Sequence, residues 1–585
     1  MVLYCAKNLS IGAGKWRKFE FMKIFSIVCF LSFFLTSCTA SFTQPSSPEE
    51  GLKSIQIKHV SGHIQRLSSD DFQGRLPGSD GELMTMKYLE TQFRGVGLVP
   101  GNSDGSYFQQ VPLVGITAEH ETQLRFSNER QSLKLQYGKD FVGWSRRLVE
   151  KSVLRESEVV FVGYGVQAPE FKWDDFKGED LRGKTLIMLV NDPPVTHPSE
   201  PAKLDRNIFG GEAMTYYGRW TYKYEMAAQK GAAGCFIIHE AEPAGYPWEV
   251  VRGSWSGEQF DLIVPDQDRS HCAVEGWVTR AAAERLLGLT GRSLKDLKAA
   301  AIRPDFRPVN LDVKAFASVQ NSFRTINSNN VIAKLEGSDP SVKDEYVMYV
   351  AHWDHLGEDS SLEGDTIYNG AIDNATGIAG LLEIAAAFAQ LEVPPRRSLL
   401  FLAVTAEEQG LLGSRYYAEN PIYPLEKTLA ALNMDAMNIW GPTHDITVVG
   451  MGNSTLEDVL EKVAMDAGRV VRPDPEPEKG YFYRSDHFSF AKVGVPSLYC
   501  EPGVNYINRP KRWGLERREE YIKDYYHKPS DEFDPNWNLT GLIEDLRLLF
   551  KVGYRVANQK HYPEWKVGTE FKSRRESMLK MMPEN

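Results

Sequence analysis

The sequence predicts an α/β protein, and three observations predict it. From residue 331 onward, apolar strand-like runs and helical stretches follow one another in alternation, the order that builds a sheet layered with helices. Polar residues able to bind metal fall just after those runs, where open α/β sheets hold their ligands. Ahead of them, a middle region of short strands and glycine turns reads as a separate lobe. A chain of 585 residues is also too long for one ordinary domain.

The N-terminus is an address. Lys15, Arg17, Lys18 and Lys23 precede an apolar run at 24–35, followed by Leu35-Thr36-Ser37-Cys38. Basic segment, short apolar core and small-residue cleavage site describe a secretory signal over 1–38, and the run is too short to span a bilayer. Met22-Lys23 offers a second, more compact start. Leu-Thr-Ser-Cys resembles the bacterial lipobox, which implies lipid on Cys38 and an extracytoplasmic, membrane-anchored protein. Thr39, rather than Asp, after that cysteine points to the outer membrane in a host that has one. Residues 39–50 read as a flexible tether.

The folded part begins with helical periodicity between 55 and 97, interrupted by the turn-rich Asp71-Phe72-Gln73-Gly74-Arg75-Leu76-Pro77-Gly78. Short alternating runs follow, and we expect a first catalytic segment over 51–149. The lobe is expected over 150–314, with strands at 157–162, 185–190 and 234–239 and a helix at 222–230. The main catalytic segment, 315–585, carries strand-like runs at 345–351, 398–404, 428–434, 445–449 and 496–499. Helices are expected at 377–390 and 539–558.

Composition excludes some functions. Lys+Arg number 67 against 78 Asp+Glu, a formal charge of -11, which argues against a general nucleic-acid binder. Outside the leader only Cys235, Cys272 and Cys500 remain, with no CxxC pair and hence no zinc ribbon or dithiol site. An oxidising compartment permits one disulfide, and Cys235 with Cys272 is the nearer pair in sequence.

The chemistry lies in one constellation. His352 and Asp354 follow the first strand, Asp373 sits in Gly370-Ala371-Ile372-Asp373-Asn374, and Glu407-Glu408 follow the second strand. Asp435 follows the third, and His527 lies in Tyr526-His527-Lys528-Pro529-Ser530-Asp531. Taken singly, each has an ordinary reading: paired glutamates complement a helix dipole, and Asp beside Gly forms turns. Together, at the ends of successive strands, they read as a metal site. Two divalent cations bring four charges, against three from Asp373, Glu408 and Asp435 and one from a hydroxide. Ligands of His and carboxylate without Cys suit catalytic zinc, with manganese or cobalt as possible occupants. Asp354 is placed to accept the second ring N–H of His352, while His355 and His487 read as supporting residues.

These residues resemble the co-catalytic di-zinc aminopeptidases, whose relatives include glutamate carboxypeptidase II, the transferrin receptor and glutaminyl cyclases. The resemblance spans 331–534 and the Gly74-Arg75-Leu76-Pro77-Gly78 element. It implies a three-layer sandwich around a mostly parallel mixed sheet, two zinc ions per chain and peptide substrates. It implies that Asp373 bridges the metals, that His352 and Asp435 complete one site, and that Glu408 and His527 complete the other. Glu407 is then the general base, and Ser485-Asp486-His487 a supporting motif. The lobe resembles an inserted protease-associated domain through Gly163-Tyr164-Gly165, Leu181-Arg182-Gly183-Lys184 and Lys230-Gly231-Ala232-Ala233-Gly234. An aminopeptidase is the leading reading. A carboxypeptidase would need an arginine cluster, for which Arg509, Lys511, Arg512, Arg517 and Arg518 are candidates. A cyclotransferase working with one zinc and a non-catalytic binding protein are the remaining alternatives.

Overall fold

The computed structural model describes residues 47–119, 122–255, 257–264 and 271–580. The signal segment, Cys38 and most of the expected tether lie outside them. A helix already begins at Glu49, inside the last residues assigned to the tether.

Three strands form the centre of the catalytic sheet: Tyr346–His352, Ser398–Val404 and Thr428–Asn433, each buried at every position. Continuous burial is what parallel strands covered on both faces require. Alternate residues serve opposite layers. Val347, Tyr349 and Ala351 join the larger core, with the helices Ile57–Leu67, Thr376–Ala389 and Thr540–Asn558. Tyr346, Met348 and Val350 face a smaller core with Tyr417 and Phe490, from the helices Leu412–Glu419 and His487–Lys492. The architecture is therefore a three-layer α/β sandwich. Tyr346–His352 runs parallel to both neighbours, and Thr428–Asn433 runs parallel to Ser497–Pro502. Antiparallel strands flank this centre, making the sheet mixed. Register brings the carboxyl ends to one edge, with His352 opposite Val404 and Val350 opposite Asn433.

Among the strands that escaped the sequence reading, one is long. Val309–Leu335 runs for 27 residues and belongs to both sheets. Its first part pairs with Lys151–Phe161 and Gln123–Ser127; its second pairs with Phe108–Ala118 and then with Ser398–Val404. No glycine or proline marks a division along it, so a period-two pattern gives no sign of where one lobe hands over to the other.

The second lobe has its own core, drawn from Leu124 to Val319. It thus starts earlier than the expected boundary at 150, because Leu124, Phe126, Phe141 and Trp144 pack inside it. Within it, Thr185–Leu189, Gly234–His239 and Val274–Thr279 form a parallel run. Cys235 and Cys272 are both free and buried. The register sets Cys235 opposite Glu275, not Cys272, and Cys235 instead lies 3.9 Å from the Met188 sulfur.

Candidate metal centre

Each site residue is held by the backbone of its loop. Asp373 lies in the bend before Thr376–Ala389, where the Ile372 and Asp373 N–H groups donate to the buried Asp531 carboxylate at 3.0–3.2 Å. Glu407 and Glu408 follow Ala406, which sits at φ 51. Their N–H groups donate to the two oxygens of Asp354 at 3.1 and 3.3 Å. Asp435 precedes Ala436 at φ 48, and its Oδ2 accepts the Ser485 hydroxyl at 2.6 Å. His527 itself has φ 56, and its ring stacks on Tyr526 with centroids 3.8 Å apart. Left-handed backbone at three non-glycine residues costs on the order of 1–3 kcal/mol each and persists where surrounding contacts dictate it.

The five expected ligands converge. His352 Nε2 lies 3.2 Å from Asp373 Oδ1 and 3.3 Å from Asp435 Oδ1. His527 Nε2 lies 3.4 Å from Asp373 Oδ2 and 2.9 Å from Glu408 Oε2. Asp373 thus presents one oxygen to each imidazole. Glu407 Oε2 stands 3.9 Å from His352 Nε2. Ligand atoms of His352, Asp373 and Glu408, and again of His352, Glu407 and Asp435, all lie within 4.8 Å of one another.

This donor set fits divalent cations. Four carboxylates are gathered here, and among the described residues none has a Lys or Arg within ion-pair distance. Buried carboxylates need a compensating cation. His527 Nε2 is buried, close to two carboxylates, yet in hydrogen-bonding geometry with neither. That is how a metal ligand is placed.

The electrostatics agree. Burial alone would lower the His527 imidazole, but Glu408 and Asp373 outweigh it and lift it to about 10. Against burial and Asp373, the His527 and His355 imidazoles hold Glu408 down at about 2. Burial, with Asp435 and Glu408 nearby, pushes Glu407 well above the carboxylate range. The cluster draws positive charge from wherever it can.

Some expectations change in detail. Asp354 was expected to hold the His352 ring with its carboxylate. Instead, Nδ1 of His352 lies 3.2 Å from the Asp354 carbonyl oxygen and 3.7 Å from its carboxylate. The carboxylate is already taken by the two glutamate N–H groups. His355 holds Glu408 Oε1 at 2.6 Å through Nδ1. Of the supporting motif, Ser485 reaches Asp435, and Asp486 lies fully buried close enough for its charge to act on His352. His487 packs between Phe482 and Tyr499, and burial lowers it to about 3, so it is a neutral core side chain.

Arg75 is the residue whose part the sequence did not reveal. It is 1% exposed and donates to the carbonyls of Trp353, Leu67, Asn369 and Gly370 at 2.7–2.9 Å. It thereby ties the loop after His352 to the loop before Asp373. Its motif was visible, but nothing in the motif says which carbonyls it meets.

Beside the carboxylates opens a cavity of about 200 Å³, lined by Asp373, Glu407 and Asp435 and by aromatic residues that include Trp440, Tyr521 and Tyr526. Of the basic residues considered for a carboxypeptidase, Arg518 reaches it, but is paired with Glu501 at 2.6 Å. Arg509 and Arg517 lie over the Trp513 ring instead.

Comparison with known proteins gives three kinds of match. Residues 330–550 match the model of peptidase family M28. The chain is 26% identical over 228 residues to leupeptin-inactivating enzyme 1 of Streptomyces exfoliatus, covering 38% of this chain and 48% of that protein. It is 26% identical over 222 residues to aminopeptidase YwaD of Bacillus subtilis, covering 36% and 41%. The aligned region thus spans less than half the length of these relatives. Among solved structures, an aminopeptidase from Aneurinibacillus sp. strain AM-1 superposes with TM-score 0.49 at 20% identity, covering 88% of this chain and 97% of that one.

Proposed function

From the match of residues 330–550 to the model of peptidase family M28, we propose that the chain is a di-zinc exopeptidase removing N-terminal residues from peptides. The observation that carries this reading is Asp373, whose two oxygens face His352 and His527 at 3.2 and 3.4 Å. A carboxylate so placed suits a bridge between two cations, one shared with His352 and Asp435, the other with Glu408 and His527. When bound, zinc supplies Lewis acidity toward water and the scissile carbonyl.

The residues of the chain supply the rest. Glu407 lines the cavity beside Asp373 and Asp435; with cations offsetting the neighbouring carboxylates that raise it, it would be ionised, taking the proton of the attacking water and returning it to the leaving amine. Asp354 fixes Glu407 and Glu408 through their N–H groups. His355 orients Glu408, and Ser485 orients Asp435. The aromatic wall excludes water and takes the substrate side chain. Free-amine aminoacyl amides are expected to turn over while their N-acetyl forms do not; steady-state rates on matched pairs check this. Preference for the acetylated member would replace the assignment with a carboxypeptidase.

We read the second lobe as a protease-associated domain narrowing access to the cavity. Its support is the glycine motifs together with contacts onto the catalytic segment, where Tyr216 packs on Phe488 with centroids 4.9 Å apart and Met214 N–H meets the Pro477 carbonyl at 3.1 Å. The leader supports export and a lipid anchor on Cys38 in the outer membrane or facing the periplasm. Labelled fatty acid is expected to enter the wild type and not Cys38→Ser; equal labelling of both removes the anchor.

A further inference from the structure

The helix Thr376–Ala389 carries one ionisable residue, Glu383, in an otherwise apolar run. Glu383 is only 4% exposed. A carboxylate inside a core is unfavourable unless a cation compensates it. No Lys or Arg lies within ion-pair distance of Glu383 among the described residues; the basic groups beside it are two imidazoles. The Gln56 N–H approaches its Oε2 at 3.5 Å, longer than an ordinary hydrogen bond.

The imidazoles belong to His59 and His63, on the helix Ile57–Leu67 that packs against Thr376–Ala389. Four positions apart, they share one face of that helix, the spacing by which a helix offers two ligands to one zinc ion. His59 Nδ1 lies 3.5 Å from Glu383 Oε2, and His63 Nε2 lies 3.7 Å from Oε1. Both separations exceed those of N–H···O hydrogen bonds. They are close to the spacing of two ligands on one tetrahedral zinc, where atoms about 2.0–2.2 Å from the metal stand roughly 3.3–3.6 Å apart. In the cavity, Asp373 stands at similar distances, 3.2 and 3.4 Å, from His352 and His527.

The His63 ring is held from its other side. Its Nδ1 lies 2.7 Å from the hydroxyl of Tyr88, on the helix Asp80–Gly95, which leaves Nε2 toward the carboxylate. Ligating histidines are ordinarily fixed by such a partner at the second nitrogen. His59 is the adjustable member. Its side chain is 52% exposed, so its ring is able to turn and close on an ion between the two helices.

We propose that His59, His63 and Glu383 form a further divalent-cation site of the zinc class, separate from the cavity. None of the three lines that cavity. Two imidazoles and a carboxylate are a zinc donor set, with a fourth position left for water. The ion compensates the Glu383 charge and fastens Ile57–Leu67 to the helix that begins just after Asp373.

Zinc content, zinc affinity by calorimetric titration and thermal midpoint test the site on the wild type, His59→Ala, His63→Ala and His59→Lys. The wild type is expected to hold one zinc per chain more than each variant, and its midpoint to rise further on adding zinc. The count is a difference between proteins, so it depends neither on how many ions the cavity holds nor on peptidase activity. His59→Lys keeps a positive charge near Glu383 but offers no ligand atom while protonated, and so separates coordination from ion pairing. Tyr88→Phe releases the His63 ring and is expected to weaken the zinc by about ten- to a hundredfold. Equal zinc content in the wild type and both alanine variants overturns the site, as does a full zinc complement in His59→Lys. Because His59 is on the surface, its two variants decide the matter even where His63→Ala does not fold.

Discussion

Glu407→Gln is expected to lower kcat by about 10²–10⁴-fold or more while leaving bound metal in place, because it removes the group that carries the proton. Glutamine preserves size and the N–H bond to Asp354, which comes from the backbone. The adjacent Glu408→Gln is expected to behave differently. Glu408 faces His527 at 2.9 Å and is held by His355 at 2.6 Å, so its loss weakens one metal, with activity partly restored by excess zinc. Metal content and rate measured on both purified variants decide between these roles. Loss of metal in Glu407→Gln, or a near-normal rate, reverses them.

Arg75→Met is expected to destabilise the fold by about 4 kcal/mol or more, since each of four buried carbonyls loses a charged donor and roughly 1 kcal/mol or more goes with each. Against a total stability on the order of 5–15 kcal/mol, that is a large fraction. The effect reaches the site, because Trp353 follows His352 and Gly370 lies on the loop that carries Asp373. Metal affinity is therefore expected to fall together with the denaturation midpoint. Denaturant unfolding and metal titration of wild type, Arg75→Lys and Arg75→Met provide the check. A wild-type midpoint in Arg75→Met means the four carbonyls find other donors, and the positioning role is lost.

The expected strands over 345–351, 398–404 and 428–434 match Tyr346–His352, Ser398–Val404 and Thr428–Asn433 to within a residue or so. Their apolar runs are bounded by polar residues, and a fully buried strand admits few other side chains. The helices at 377–390 and 539–558 were legible for the same reason. Val309–Leu335 was not, since an alternating pattern marks a strand without saying that its two halves serve different cores. The start of the lobe near Leu124 was hidden likewise, because Gln123–Ser127 pairs with the distant segment Lys314–Ser318.

What the sequence by itself determined is the set of side chains and the edge they share. His352, Glu407, Glu408 and Asp435 end or follow parallel strands, so strand direction brings them to one edge, while Asp373 and His527 lie in loops next to the helices Thr376–Ala389 and Trp513–Asp524. Tertiary structure alone decided the partners. Asp354 turned to the glutamate backbone instead of the imidazole ring, and Arg75 reached four carbonyls up to 295 positions away. Periodicity reports which face of an element is buried. The hydrogen bonds and charges of a buried polar side chain are satisfied by whatever the fold brings within about 3 Å, and that is set by packing between elements far apart in the chain.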